Sequence, residues 1–174
     1  SIPTSLKAVG NTLYFDANDG TNGRELWKSD GTASGTVMVK DINSGSGGSS
    51  IDSLTVVGNT LYFRASDGTH GYELWKSDGT DTGTTMVKDI NSGSSSSYPA
   101  NLVTVGNTVY FIATDGTHGE ELWKTDGTHN GTVLVKDIRP GSGGSGINKP
   151  IVVGNTLFFK ANDGVHGTEL WKTD

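Results

Sequence analysis

The 174-residue chain carries 13 basic and 19 acidic residues, and its formal net charge of −6 is spread along the sequence. This balance disfavours nucleic acid and anionic membrane surfaces as partners, because both require concentrated positive charge. The absence of cysteine excludes disulfides and thiolate metal sites. The sequence contains no run of about 18 apolar residues, so no membrane-spanning helix is predicted. The opening SIPTSLKAVG also lacks the basic start and apolar centre of a secretory signal peptide.

One stretch of the sequence occurs four times. Its second copy, Val57 to Thr80, reads VGNTLYFRASDGTHGYELWKSDGT, and the other copies begin at Val9, Val105 and Val153. The first two copies are identical at 20 of 24 positions, which indicates recent duplication or engineering. The period is 48 residues without insertions, as the four tryptophans show: Trp27, Trp75, Trp123 and Trp171.

Within one repeat the apolar residues alternate with the period of two that is typical of β-strands. Leu61, Phe63 and Ala65 fall on one face of a strand, and Tyr62 and Arg64 fall on the other. Turn residues divide the second unit into four predicted strands, at about 54–57, 60–66, 72–76 and 85–90. No helical period of 3.6 appears, so the sequence predicts an all-β protein.

The connections between these strands are predicted to be hairpins. Glycine at the first central position of Gly58-Asn59 favours a two-residue type II′ turn. DGTHG and DGTDTG then supply Gly and Asp where a turn needs positive φ. The fourth connection, NSGSSSSYPA, is longer and Ser/Gly-rich, as expected of a crossover to the next sheet.

Four antiparallel strands and a crossover every 40 to 50 residues predict the blades of a β-propeller. A solenoid has shorter coils, and a sandwich has no reason to keep a strict period. We expect one domain, 1–174, with blades at about 1–48, 49–96, 97–144 and 145–174, the last three-stranded because it has no VKDI strand. A single closed four-bladed ring is favoured. The alternative is half of an eight-bladed ring completed by a second chain.

The order of a GNTLYF hairpin, a DG turn, an ELWKSDGT strand and a VKDI strand resembles quinoprotein-type and kelch-type blades in layout. More closely, the whole chain resembles the tandem ELWxxDGTxxGTxxVKDI repeats of large bacterial secreted and surface proteins. The resemblance implies a propeller in an extracellular or cell-surface bacterial protein. It implies no defined activity and no quinone cofactor.

The DGTHG loops and the crossovers should line one rim of the propeller, which is the candidate ligand-binding surface. Its candidate residues are Asp19, Asn22, Asp67, His70, Asp115, His118, Asp163 and His166. Metal binding by the histidines is one interpretation, but we expect no metal site, because an exposed loop residue copied by duplication explains the pattern more simply. No cofactor is predicted. Calcium has weak support from the loop Asp16 to Gly20, whose glycine comes one place too early for a calcium loop.

Other repeated polar residues are expected to have structural roles. The SDGT segments resemble the Asp-box turn of sialidase-like propellers, so Asp30, Asp78 and Asp126 should tie their turns to backbone N–H groups. The glutamates before each Leu-Trp are expected to pair with lysines such as Lys28 or Lys40. The four tryptophans are predicted to pack between blades, with stacking on a sugar as the alternative.

Repetition argues against catalysis, because an active site needs unlike groups in unlike roles and this chain offers one motif fourfold. We therefore expect a non-enzymatic structural repeat propeller, natural or engineered by blade amplification. The alternative is a lectin-like module that binds several glycans or similar ligands through equivalent loops. A hydrolase is a distant third. Glycans, or another copy of the chain at the exposed C-terminal edge strand, are the expected partners.

Overall fold

The computed structural model describes residues 2–174, which contain fifteen β-strands and no helix. They form four antiparallel sheets in chain order, three of four strands and the last of three, as predicted. Each sheet is termed a blade, and blades 1 to 4 follow the chain. The strands are β1 Thr4–Val9, β2 Thr12–Asn18, β3 Arg24–Ser29, β4 Val37–Lys40, β5 Asp52–Val57, β6 Thr60–Ser66, β7 Tyr72–Ser77, β8 Thr85–Lys88, β9 Ala100–Val105, β10 Thr108–Thr114, β11 Glu120–Thr125, β12 Val133–Lys136, β13 Asn148–Val153, β14 Thr156–Asn162 and β15 Thr168–Thr173.

The hairpin between the first two strands of a blade has the predicted turn. Gly58 has φ of +58°, whereas Asn59 is not among the residues with positive φ. A type I′ turn needs positive φ at both central residues, so this pattern identifies type II′.

The third strand ends one residue later than predicted, at Ser77, and two other strand boundaries differ by two residues. β8 ends at Lys88 because the N–H of Ile90 donates to a glutamate side chain and not to the sheet. β5 begins earlier than expected, at Asp52, and its pairing with β6 is irregular between Asp52 and Thr55. Ser53, inside this irregularity, has φ of +57°. The extra residue bends the innermost strand, as a β-bulge does.

The apolar core lies between blades. Tyr14 and Leu26 of blade 1 pack on Leu61, Phe63 and Trp75 of blade 2, and the same arrangement recurs between blades 2 and 3 and between blades 3 and 4. Each blade therefore has two different faces. The head face is the one that carries Leu61 and Phe63 in blade 2, and the tail face is the one that carries Tyr14 and Leu26 in blade 1.

The four blades form an open arc, and the expected closure into a four-bladed ring does not occur. Within residues 2–174 no apolar core joins blade 4 to blade 1. The innermost strands lie against each other in consecutive pairs, but β13 and β1 do not share such a contact. Leu170 on the tail face of blade 4 is accordingly 74% exposed, whereas its equivalent Leu26 is fully buried. The three junctions turn the chain too little to bring its first and last blades together.

None of the described residues belongs to a helix that is long and apolar enough to cross a membrane.

Candidate functional site

Each DGTHG loop joins the second and third strands of its blade and is organised by its own aspartate. In blade 2, Asp67 Oδ1 accepts the N–H groups of Thr69 and His70 at 2.8 and 2.9 Å. Asp67 Oδ2 lies 2.7 Å from Nδ1 of His70. A turn closed by an Asp side chain in this way needs no ligand to keep its shape.

The predicted rim residues are brought together in pairs, each pair within one loop. Histidine Nδ1 and aspartate Oδ2 are 2.7 Å apart in blades 2, 3 and 4, and in blade 1 the Nδ2 of Asn22 donates to Asp19 Oδ2 at the same distance. Across the described part of the chain, no three His, Asp or Glu side chains are placed to hold a metal ion. The pairs in blades 2 to 4 are Asp67 with His70, Asp115 with His118, and Asp163 with His166.

These contacts shift the titration of both partners. The hydrogen bond to Asp67, and then its charge, raise the pKa of His70. Partial burial acts to raise the pKa of the Asp67 carboxyl, but the hydrogen bonds from His70 and Thr69 outweigh it and the pKa is lowered. Both pKa shifts favour the ion pair, so the histidine ring stabilises the conformation of its own loop.

The DGTHG loops and the crossovers do lie side by side on one rim. Gly71 has φ of +72°, and a Cβ there would lie 2.5 Å from the carbonyl oxygen of Ser95 in the crossover. Only glycine permits this approach. The N–H of Ser97 then donates to the carbonyl oxygen of Tyr72 at 3.1 Å, which fixes the crossover to the start of the third strand.

The glutamate before each Leu-Trp does not pair with lysine, so that prediction is wrong. Glu73 is fully buried and accepts the N–H groups of Ile90 and Ser97 at 3.0 and 2.9 Å, and the Ser97 hydroxyl at 2.5 Å. Glu25 does the same with Ile42 and Ser49. One carboxylate thus accepts N–H groups from both ends of a crossover, where the backbone lies outside the hydrogen-bonded strands.

Burial raises the pKa of these glutamate carboxyls above the ordinary value. Burial raises the pKa of Glu73 to about 7, against the effect of the donors from Ser97 and Ile90, and the nearby Asp89 carboxylate adds to the rise. Burial also raises the pKa of Glu25 and of Glu121. A raised carboxyl pKa is common in catalytic sites, but here the cause is a structural position inside the blade.

The calcium interpretation of the loop after β2 finds no support in its contacts. Asp16 is buried, and its Oδ2 accepts from Arg24 Nε at 2.9 Å and from the Thr4 hydroxyl at 3.0 Å. Asp19 is engaged in its own turn. The two carboxylates have separate structural partners.

The SDGT turns behave as predicted. Asp78 Oδ1 accepts the N–H and the hydroxyl of Thr80 at 2.9 and 2.7 Å, and the Thr80 hydroxyl in turn accepts the N–H of Gly83. These bonds lower the pKa of Asp78. Equivalent bonds hold the turns of Asp30 and Asp126.

Sequence reasoning missed that these turns also join neighbouring blades. Lys28 Nζ donates to the carbonyl oxygen of Gly79 in blade 2 at 2.7 Å, and Lys76 Nζ donates to Gly127 in blade 3 at 2.8 Å. A second lysine, Lys40, contacts Asp81. The 48-residue spacing of Lys28 and Lys76 was the sequence signal that could have indicated a repeated role for this lysine.

A groove lies beside each of these contacts, on the rim opposite the DGTHG loops. The groove between blades 1 and 2 and the groove between blades 2 and 3 each have a volume of about 500 Å³. The first is lined by Tyr14, Lys28, Asp30 and Asp78, and the second by Tyr62, Lys76, Asp78 and Asp126. These repeated polar grooves are concave surfaces that could admit a small ligand.

Three of the four tryptophans lie at the junctions between blades, as predicted, but Trp27 does not. Trp75 and Trp123 are each 6% exposed within the inter-blade cores, and Trp171 packs against the core between blades 3 and 4. Trp27, on the head face of blade 1, is half-buried. Rings that are buried in this way are not available to stack on a sugar.

No family model matches the chain, and no curated protein matches it. Solved structures do match. Puromycin hydrolase superposes with a TM-score of 0.64 at 13% identity, over 99% of this chain and 27% of the hydrolase. AtxE2 isopeptidase superposes with a TM-score of 0.58 at 11% identity, over 89% of this chain and 24% of the isopeptidase.

The chain therefore spans about a quarter of the length of these two enzymes, and the part it matches is their propeller domain. The computationally designed Ika8 protein also matches, with a TM-score of 0.41 at 17% identity. At identities this low the two enzymes are evidence for the fold alone. With the four repeated sheets, they show that the chain is built of β-propeller blades.

Proposed function

We propose that the chain is a non-enzymatic structural propeller whose repeats serve to extend and rigidify a β-sheet arc. The observation that carries this proposal is the use of its titratable side chains. The glutamates hold crossovers, the DGTHG aspartates hold loops, and the SDGT aspartates hold turns. An active site would need some of these groups aimed, unpaired, into a cleft.

The similarity to hydrolases does not oppose this proposal, because it covers their propeller domains only. The proposal includes an extracellular or cell-surface location, which rests on the resemblance of the repeat alone.

Activity assays test the structural proposal. The folded chain, incubated with peptide, ester and glycoside substrates, should give no turnover above that of the same chain unfolded by heat. Turnover that copurifies with the folded chain and disappears in a single side-chain variant would overturn the proposal.

A second candidate function, multivalent binding of glycans, is favoured by the two equivalent grooves. Each groove is lined by a tyrosine, carboxylates, and threonine or serine hydroxyls within one concave surface of about 500 Å³. Such groups suit a ligand with many hydroxyls, and equivalent sites at fixed spacing raise avidity. This proposal keeps the predicted multivalency but moves the site to the opposite rim.

Binding stoichiometry tests the second candidate. A glycan-array hit followed by calorimetry should give two sites per chain, and Tyr14→Phe or Tyr62→Phe should weaken one site each. Tyr98→Phe is the matched control, because Tyr98 is 53% exposed in a crossover on the other rim. Binding that Tyr98→Phe weakens, and the two groove variants do not, would rule out the grooves.

A further inference from the structure

The two ends of the arc expose apolar faces. The tail face of blade 4 carries Ile151, Val153, Phe158 and Leu170, of which Ile151 and Val153 are both 61% exposed. A depression of about 280 Å³ lies among them. The head face of blade 1 exposes Leu13, at 36%, and leaves Trp27 half-buried. Unpartnered apolar surface of this kind marks an interaction site.

The same positions are buried wherever a blade has a neighbour. Leu170 is 74% exposed, but the equivalent leucines of blades 1, 2 and 3 are 0%, 0% and 2% exposed. Leu13 is 36% exposed, but the equivalent residues of blades 2, 3 and 4 are all fully buried. These equivalents are Leu26, Leu74 and Leu122 on the tail faces, and Leu61, Val109 and Leu157 on the head faces.

The chain itself shows what fits these faces. At each of its three junctions a tail face packs against the head face of the next blade. The polar contacts are repeated with the apolar ones, since the lysines at 28 and 76 both reach a glycine carbonyl across the junction. Blade 4 retains this lysine as Lys172, and blade 1 retains the glycine as Gly31. The exposed tail face and the exposed head face are therefore complementary.

We propose that a second copy of this chain docks head face to tail face, at both ends of the arc, and closes an eight-bladed ring with twofold symmetry. Propellers have about four to eight blades, so two arcs of four reach a permitted number and three arcs do not. Each chain contributes one head face and one tail face, which leaves no apolar face open. The interface lies between sheet faces and not at the C-terminal edge strand.

An introduced disulfide tests the contact directly, since the chain has no cysteine of its own. The hydroxyl oxygens of Thr55 and Thr104 are 3.5 Å apart across the junction of blades 2 and 3, so side chains at these two positions meet across a junction. The equivalent positions at the open ends are Ile151 on the tail side and Ala8 on the head side. The double variant Ala8→Cys with Ile151→Cys should therefore oxidise to a covalent dimer that holds no free thiol.

Other products of the double variant would overturn the proposal. A disulfide within one chain would mean that a single chain closes by itself, an unlinked monomer would mean that the faces do not meet, and a ladder of longer species would mean an open filament. Either single variant, Ala8→Cys or Ile151→Cys alone, should give no covalent dimer. Linkage by a single variant would show contact between like faces and would also overturn the proposal.

Light scattering on the unmodified protein gives an independent test. The expected mass is about 36 kDa, or 2 × 18.2 kDa, falling towards 18.2 kDa on dilution. Leu170→Asp should weaken association at least tenfold without loss of strand content in circular dichroism. Val165→Asp is the matched control, since Val165 is in the same blade and 80% exposed but lies in a loop, and it should change association less than twofold. A constant 18.2 kDa mass at high concentration, or equal effects of the two variants, would overturn the proposal.

Discussion

Lys76 Nζ donates to the carbonyl oxygen of Gly127 in the next blade at 2.8 Å, and this bond joins two sheets that share no strand pairing. A lysine that crosses from one sheet to another couples their stabilities, because separating the blades exposes an apolar core and breaks a charged hydrogen bond at once.

Replacing this lysine should destabilise the arc. Lys76→Met keeps the apolar stem but removes the donor, and a hydrogen bond to a charged group contributes about 1.5–3 kcal/mol. We expect a loss of about 1–2 kcal/mol in the unfolding free energy measured by urea titration. Lys124→Met is the control, because within residues 2–174 the Nζ of Lys124 donates no hydrogen bond, and it should change stability little. Equal losses in both variants would contradict the inter-blade role.

The buried glutamate of blade 2 should be more sensitive to truncation than any surface carboxylate. Glu73→Ala leaves the N–H of Ile90 without an acceptor and leaves the N–H of Ser97 only the carbonyl oxygen of Tyr72, and a buried unsatisfied donor costs about 1–3 kcal/mol. The expected loss is about 3 kcal/mol in urea unfolding. Glu169→Ala, at the exposed equivalent in blade 4, should cost almost nothing. A small effect at Glu73 would mean that water replaces the carboxylate.

Glu73 should also make stability depend on pH. Its pKa is raised to about 7 in the folded protein from an ordinary value of 4.5, so folding favours the protonated form. The stabilisation is fully present below pH 4.5 and is lost as pH rises through 7. Comparison of the unmodified protein with Glu73→Gln removes the background from other groups. As pH rises from 4.5 to 7, the unmodified protein should lose unfolding free energy relative to Glu73→Gln. A gain relative to Glu73→Gln over the same range would contradict the raised pKa.

The DGTHG loops should tolerate loss of histidine but not of aspartate. His70→Asn reproduces the arrangement of blade 1, where Asn22 donates to Asp19, and should leave stability within about 0.5 kcal/mol. Asp67→Ala removes the acceptor of two backbone N–H groups and should cost about 1 kcal/mol. Thermal unfolding of the two variants gives the ranking. The reverse ranking would show that the imidazole holds the loop.

Two leucines at the same repeat position should differ in the cost of truncation. Leu61→Ala empties a fully buried site and should cost about 2–5 kcal/mol. Leu13→Ala, at a position 36% exposed, should cost about 1 kcal/mol in dilute protein. If the head face is covered by a second copy, the cost at Leu13 should rise with protein concentration. Guanidinium unfolding at two concentrations distinguishes the two cases.

Most of the fold follows from local sequence signals. The alternation around Phe63 predicted the strands, and Gly58-Asn59 predicted the turn type, because both depend on a few neighbouring residues. The role of Glu73 as an acceptor of backbone N–H groups was not predictable in this way. Its partners lie 17 and 24 residues away, and a carboxylate that accepts backbone N–H groups leaves no pattern in the side chains that surround it.

The candidate site shows the same division. The pairing of Asp67 with His70 spans three residues and belongs to one loop, so the loop itself was visible in the sequence. The grooves beside Lys28 and Lys76 are formed by two blades together, and their shape depends on the angle between sheets. Ring closure failed as a prediction for the same reason, since blade counting gives no inter-blade angle.

Because a glutamate of one blade accepts hydrogen bonds from the connection to the next, each crossover is fixed by residues of its own 48-residue unit. Insertion or deletion of one whole unit would leave the repeated residues of every remaining junction in place. A gene that encodes such units can therefore change its blade number by recombination between copies. The final number of blades is then limited by the geometry of the ring and not by the identity of any single residue.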